Sequence, residues 1–353
     1  MKNIDIPVSK PSLPKLEDLA EYLRIIDKNR IYTNNGPILH QYELALADFL
    51  RIDPKRIVLT ANATIALEAC VHISKPSEWI VPDFTFSATA SAVLRAGKKV
   101  KIADVDIVDW SLDCNSKGFK DINKNTVGIM PVAPFGAPIE FEKWSDFKNV
   151  IIDGAASLGN PAPNFKVMQK GWFVVYSLHA TKIFPAAEGG LIITQNEDAA
   201  NLLKKWINFG FNEDRISDVL GSNGKMSEYH AAVGLASLKK NVEETRDWLN
   251  SLNFIKNVNK HTSLVTQMSG VRPYWIVQFP NAQSKLECST SLSANGIQSR
   301  SWWKSPLSEM PAFKNIPLIS SSQVSKHLSR TTLGLPMFRG ITTEQLQRIT
   351  DII

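Results

Sequence analysis

Cysteine is scarce: residues 70, 114 and 288 are the only three in 353, and they lie far apart. That number and spacing provide neither a disulfide framework nor the paired ligands of a metal centre, so no metal is expected. No apolar run is long enough to cross a bilayer, so membrane insertion is not expected either. In the opening "MKNIDIPVSKPSLPKLEDLAEYL", Asp5 and early prolines stand where an export signal needs an unbroken apolar core, and a cytoplasmic location is expected. Internal repeats and low-complexity tracts are missing. A coherent basic stripe is missing too: the net charge is +6, but lysines and arginines are scattered through mixed segments such as "NVEETRDWLN". Nucleic acid is therefore not the expected partner, and a protein that handles anionic small molecules explains the sign equally well.

What is present is a globular composition, 44% hydrophobic and 21% charged, in a chain long enough for one large and one smaller domain. After Pro14, Leu16, Leu19, Ala20 and Leu23 recur at helical spacing, so residues 1–35 are read as an arm and helix. From residue 36 to 240, short apolar runs alternate with helix-like segments. "RIVLT", "EWIVP", "KKVKIADV", "TVGIMPV", "VIIDGA", "WFVVYS" and "GLIIT" predict strands, and "TIALEACVHI" and "FSATASAVLRAG" predict helices. That rhythm predicts an α/β domain around a largely parallel sheet. A long helical stretch runs from Glu228 through "EYHAAVGLASLKKNVEETRDWLNSL". Residues 241–353, with the strand-like "PYWIVQF", the helix "NAQSKLECSTSLSANG", loops and the final helix "TTEQLQRITDII", predict a smaller α+β domain.

Several polar residues fall where predicted strands end. Asp153 follows "NVII"; it is either an exposed turn former or a ligand at the carboxyl edge of the sheet, where open α/β domains place their sites. "TANATIALEAC" passes from strand to helix, and its first-turn amides with the Thr64 hydroxyl suit a phosphate, although helices also begin this way as simple caps. Ser177 precedes Lys182 by five residues, and both can line one concavity if "SLHAT" loops across the strand ends. Phe86, in "PDFTFSAT", is either core or a face for a flat ring. Gly189 and Gly190 permit close backbone approach. A lysine becomes a Schiff-base former when its surroundings favour the free amine.

Taken in order along the chain, these elements resemble the DegT/DnrJ/EryC1/StrS family of PLP-dependent sugar aminotransferases. The resemblance spans nearly the whole chain and is most specific at "YSLHATKIFPAAEGGLIIT". It implies fold type I, a large α/β domain with a mostly parallel central sheet plus a smaller α+β domain, and pyridoxal 5'-phosphate as cofactor. It gives Lys182 the Schiff-base role, Ser177, Ala63 and Thr64 the phosphate end, and Phe86 the stacking position. Asp153 of "IIDGAAS" should face the pyridine nitrogen. "GSNGKMSEYHAAVGLASL" resembles a segment whose asparagine crosses a dimer interface, which gives Asn223 a contact with the neighbour's cofactor phosphate and implies a homodimer with shared sites. "SRSWWKSPL" resembles an aromatic, basic substrate stretch, so Trp302 and Trp303 are expected to cover a sugar or nucleotide face. Lys304 or Arg300 is expected to meet a diphosphate; the alternative is core tryptophans beside solvated charges.

The implied activity is amino transfer from L-glutamate to a nucleotide-linked, dTDP-type 4-keto-6-deoxyhexose, for surface-polysaccharide or O-antigen synthesis. One alternative is a sugar dehydratase of the same family, whose members carry histidine in place of the lysine; another is a silent sugar-binding relative. Three positions depart from the family pattern. Asn62-Ala63-Thr64 replaces Ser-Gly-Thr, Ala156 replaces a polar residue after Asp-Ala-Ala, and Ala187 replaces the glycine before Glu188.

Overall fold

The computed structural model describes residues 4–160, 163–258 and 271–353. Its first elements are α1 (Leu16–Asn29), α2 (Pro37–Leu50), β1 (Ile57–Thr60), α3 (Ala63–Ile73), β2 (Glu78–Pro82), α4 (Ser87–Arg95) and β3 (Lys99–Ala103). Next come β4 (Gly128–Ile129), β5 (Asn149–Asp153), β6 (Phe173–Ser177), β7 (Gly190–Thr194), α5 (Glu197–Trp206), α6 (Glu228–Lys239) and α7 (Asn241–Val258). The chain closes with β8 (Trp275–Gln278), α8 (Ala282–Ala294), α9 (Gln323–Thr331), β9 (Thr332–Leu335) and α10 (Thr343–Thr350).

Among the described residues, seven strands form one sheet in the order β1-β7-β6-β5-β4-β2-β3. Pairs from β6 through β3 are parallel, whereas β7 runs antiparallel to both β6 and β1. The near-continuous apolar runs of β1, β5, β6 and β7 are buried, as expected for a sheet covered on both faces. Two buried clusters lie on either side of this sheet. One contains Tyr42, Ile152, Val174 and Leu191; the other contains Val58, Leu67, Trp79, Val175 and Ile192. A two-stranded antiparallel sheet, β8-β9, marks the smaller domain. The N-terminal arm joins it through a parallel bridge between Ile6 and Ile297.

Three details differ from the sequence-based expectations. The long helix after Glu228 is two helices, because the Lys240 N–H turns back to Ser237 and Leu238 carbonyls and closes the first. On α1 Leu19 and Leu23 pack against the core as expected, but Leu16 is exposed and the fully buried residues are Tyr22 and Ile26. "TVGIMPV" keeps two residues in regular ladder because Pro131 has no N–H to donate. Gly128 in that strand is obligatory: a Cβ would stand 2.5 Å from the Trp79 indole.

Candidate active site

The sheet direction determines which polar residues meet. β1, β5 and β6 all end at one edge, delivering Thr60, Asp153 and Ser177, and the reversed β7 begins at that edge with Gly190. Gly190 pairs with both Ser177 and Thr60. A side chain there would run into Thr60 Oγ1 and would stand 2.6 Å from the Asn62 carbonyl, so glycine is required by close approach. Between β6 and β7 the chain makes a closed loop, pinned by Leu178 N–H to Gly189 O at 2.9 Å and by Ala180 N–H to Ala187 O at 2.8 Å. Lys182 rises from this loop.

Lys182, Asp153, Ser177, Ala63, Thr64 and Phe86 line one cavity of about 370 Å³. Ala63 and Thr64 open α3, where first-turn amides have no intrahelical acceptor. The departure at Asn62 preserves the start of the helix, since its side chain accepts from Ile65 N–H at 3.0 Å and acts as the cap. Ala63 adopts helical geometry, so the glycine of the family pattern is not needed there. Phe86, 61% exposed, caps the start of α4 and presents an open face at the rim. Ala156 contributes only a methyl group to the wall.

Asp153 is buried, with 5% of its surface exposed. Thr89 Oγ1 donates to one carboxylate oxygen at 2.9 Å and Ala155 N–H to the other at 3.2 Å. Burial pushes the carboxyl above its ordinary range, while these donors and the Lys182 charge oppose the rise. A cation placed against this carboxylate would replace part of its lost solvation. A flat ring bearing a basic nitrogen, an anionic arm and a carbonyl fits the residues present. Asp153 would meet the nitrogen, the α3 amides with Thr64 and Ser177 would meet the arm, and the Lys182 amine would meet the carbonyl.

The remaining expected residues divide. Trp302 and Trp303 line the cavity and are also packed: Trp303 stacks on Phe135 at 4.1 Å and meets Phe84 at 4.8 Å, and Trp302 meets Tyr274 edge-on at 5.1 Å. Both tryptophans therefore have packing partners as well as a place in the cavity lining. Arg300 lies 4.7 Å from the Trp302 ring, and Lys304 is exposed outside the cavity lining. Asn223 is exposed and does not line the cavity of its own chain. Its segment nevertheless packs against the β1–α3 turn, where Gly224 O accepts from Ala61 N–H at 2.7 Å.

Sequence reasoning missed several lining residues. Tyr274 accepts a hydrogen bond from Lys182 Nζ at 2.9 Å. His179 bonds Thr181 at 2.9 Å and faces Glu188 at 3.7 Å. Phe135 has a left-handed backbone at φ 52° and forms a wall shared with a second cavity of about 730 Å³. Glu188 was within the quoted motif, and Thr89 within "FSAT", but Phe135 and Tyr274 carried no local signal. The departure at Ala187 has a backbone consequence: it sits at φ 64°, in the region that favours the glycine it replaces.

The profile of the DegT/DnrJ/EryC1/StrS aminotransferase family matches residues 15–353. A protein of Shigella dysenteriae named dTDP-4-amino-4,6-dideoxy-D-glucose transaminase is 29% identical over 98% of this chain and 97% of its own. Among solved structures, a chain from Bacillus cereus ATCC 10987 assigned as a PLP-dependent aminotransferase superposes with a TM-score of 0.90 at 26% identity, covering 99% of each chain. DesI, crystallised in the presence of its TDP-sugar product, superposes with a TM-score of 0.85 at 25% identity, covering 99% of this chain and 92% of that one.

Proposed function

Because this chain belongs to the DegT/DnrJ/EryC1/StrS aminotransferase family, we propose that it transfers the amino group of L-glutamate to a nucleotide-linked, dTDP-type 4-keto-6-deoxyhexose. It is a PLP-dependent aminotransferase of fold type I. The cofactor supplies an electron sink and carries the amino group between the two substrates.

The carrying observation is the joint presence of the Lys182 amine and the buried Asp153 carboxylate in one cavity that the start of α3 also lines. In this reading Lys182 holds the cofactor and, once free, moves the proton at the donor's α-carbon. Asp153 keeps the ring nitrogen protonated, as its burial favours a cationic partner. Thr64, the α3 amides of Ala63 and Thr64, and Ser177 take the phosphate, and Phe86 covers the ring. The lysine favours amino transfer over the dehydratase alternative. A silent binding relative would have no use for a buried carboxylate and a lysine amine in one cavity.

The dTDP carrier and the C4 position draw support from the likeness to the Shigella dysenteriae transaminase. Trp302 and Trp303 offer aromatic faces for the sugar or base, with Lys304 beside them for the diphosphate. The active unit in this reading is a homodimer. Asn223, exposed and outside its own cavity, reaches the partner's phosphate. A cytoplasmic role in making surface-polysaccharide sugars follows from such a product.

The test is a glutamate-dependent transfer screen over nucleotide keto sugars that differ in base and hexose, with the amino position of the product read by NMR. Amination at C4 of a dTDP-linked substrate is expected. Amination of a small free ketone, with every nucleotide sugar inert, would overturn the substrate reading.

A further inference from the structure

The Lys182 amine has a partner from the other domain. Tyr274 immediately precedes β8, whose ladder belongs to the small two-stranded sheet. Its hydroxyl accepts from Lys182 Nζ at 2.9 Å, and the nitrogen lies 5.1 Å from the ring centre. The ring itself is held on two sides. Phe135 meets it at 5.9 Å with the planes at 73°, and Trp302 meets it at 5.1 Å with the planes at 79°. All four residues line the same cavity. None of the roles assigned above uses the phenol.

We propose that Tyr274 is the positioning residue for Lys182: its hydroxyl holds the ε-amine at a fixed point of the cavity wall whenever that amine is not bonded to the cofactor. The inference rests on Lys182 being the cofactor-holding amine. A free lysine has many side-chain rotamers and can swing through the cavity. Proton transfer requires the amine within roughly 2.6–3.2 Å of its target, and a misplacement of about 1 Å costs on the order of a hundredfold. Asp153 acts on Lys182 through charge, while the hydrogen bonds its oxygens accept come from Thr89 and Ala155. A phenol is suited to the task, since it accepts from an ammonium and donates to a neutral amine, keeping the pair together in either protonation state. Its own position costs little further ordering, because the Phe135 and Trp302 edges already fix the ring.

Tyr274→Phe tests this, since it keeps the ring with both edge contacts and deletes only the hydroxyl. Three quantities are measured: thermal unfolding of the cofactor-free protein, the rate of PLP uptake followed by visible absorption, and the single-turnover rate with glutamate carrying protium or deuterium at Cα. The expected result is near-native unfolding, uptake slowed about tenfold, and a proton-transfer step slowed at least tenfold with a larger deuterium effect. Native uptake and a native isotope effect in a folded variant would overturn the proposal. If Lys182 were not the holding amine, borohydride would label a different lysine in both proteins, a distinct result from the native rates that would refute Tyr274 alone.

Discussion

Thr89 Oγ1 donates to Asp153 Oδ2 at 2.9 Å, joining the first turn of α4 to the last residue of β5. Thr85 Oγ1, 2.9 Å from Thr89 Oγ1, extends this chain. An ionised aspartate only accepts, so Thr89 gives its proton to the carboxylate and Thr85 gives its own to Thr89. The chain fixes the carboxylate's direction without neutralising its charge.

Asp153→Asn therefore separates stability from function. Burial raises the folded-state carboxyl above its unfolded value, so the folded protein holds that proton more tightly. By linkage this group makes the cofactor-free protein less stable as pH rises from the unfolded value through the folded one. The variant's unfolding midpoint is expected to be equal to or above the native one at neutral pH, with the difference shrinking in acid. Amino transfer is expected to fall about 10²–10³-fold. A large loss of stability at neutral pH would mean that the charge is compensated within the empty protein.

Ala187→Gly removes a left-handed alanine from the lysine loop. The strain of roughly 1–2 kcal/mol is partly offset by the flexibility glycine gives the unfolded chain, so a net gain of about 0.5–1 kcal/mol is expected in denaturant unfolding. Lower stability would show that the alanine methyl makes contacts that outweigh its backbone cost.

Gly190→Ala has the opposite sign. The new methyl meets Thr60 Oγ1 and the Asn62 carbonyl, both at the start of the β1–α3 turn proposed to hold the phosphate. Weaker retention of PLP on dialysis is expected, together with a loss of about 1–3 kcal/mol of stability. Native retention would show that the turn can retreat.

Trp303 and Lys304 are adjacent but should respond differently. Trp303→Ala strips a ring stacked on Phe135 at 4.1 Å and should destabilise the cofactor-free protein by about 2–3 kcal/mol. Lys304→Ala should leave stability and the glutamate half-reaction nearly unchanged while raising KM for the nucleotide sugar about tenfold. Equal damage to both half-reactions would remove Lys304 from the substrate mouth.

Shared sites in a homodimer predict complementation. Inactive Lys182→Ala and Asn223→Ala chains, mixed and reassembled, should regain part of the native activity, because one of the two sites in a mixed pair carries neither change. Heterodimers with no recovery would contradict a site built from both chains.

Strand ends made most of this site legible in the sequence. Asp153 and Ser177 end apolar runs, and Gly190 begins one, so pairing three neighbouring strands brings them together. Lys182 follows because its loop has to span that edge. What remained hidden depends on contacts distant along the chain. Tyr274 reaches Lys182 across 92 positions. The start of α9 is capped by Asp104, which accepts from Val324 and Ser325 N–H at 2.9 and 2.8 Å. β9 escaped notice because "TLGL" is four residues containing a glycine; Gly334 is required where the Trp302 indole lies over the backbone. No local periodicity encodes such pairings.

The central claim is that Lys182 holds the cofactor through its amine. The direct measurement is borohydride reduction of the PLP-loaded protein, followed by proteolysis and mass spectrometry of the modified peptide. Loss of the visible band with a stable phosphopyridoxyl group on Lys182, within "SLHATKIFPAAEGG", is the predicted result. Label on any other lysine, or a native protein that takes up no PLP, would contradict it.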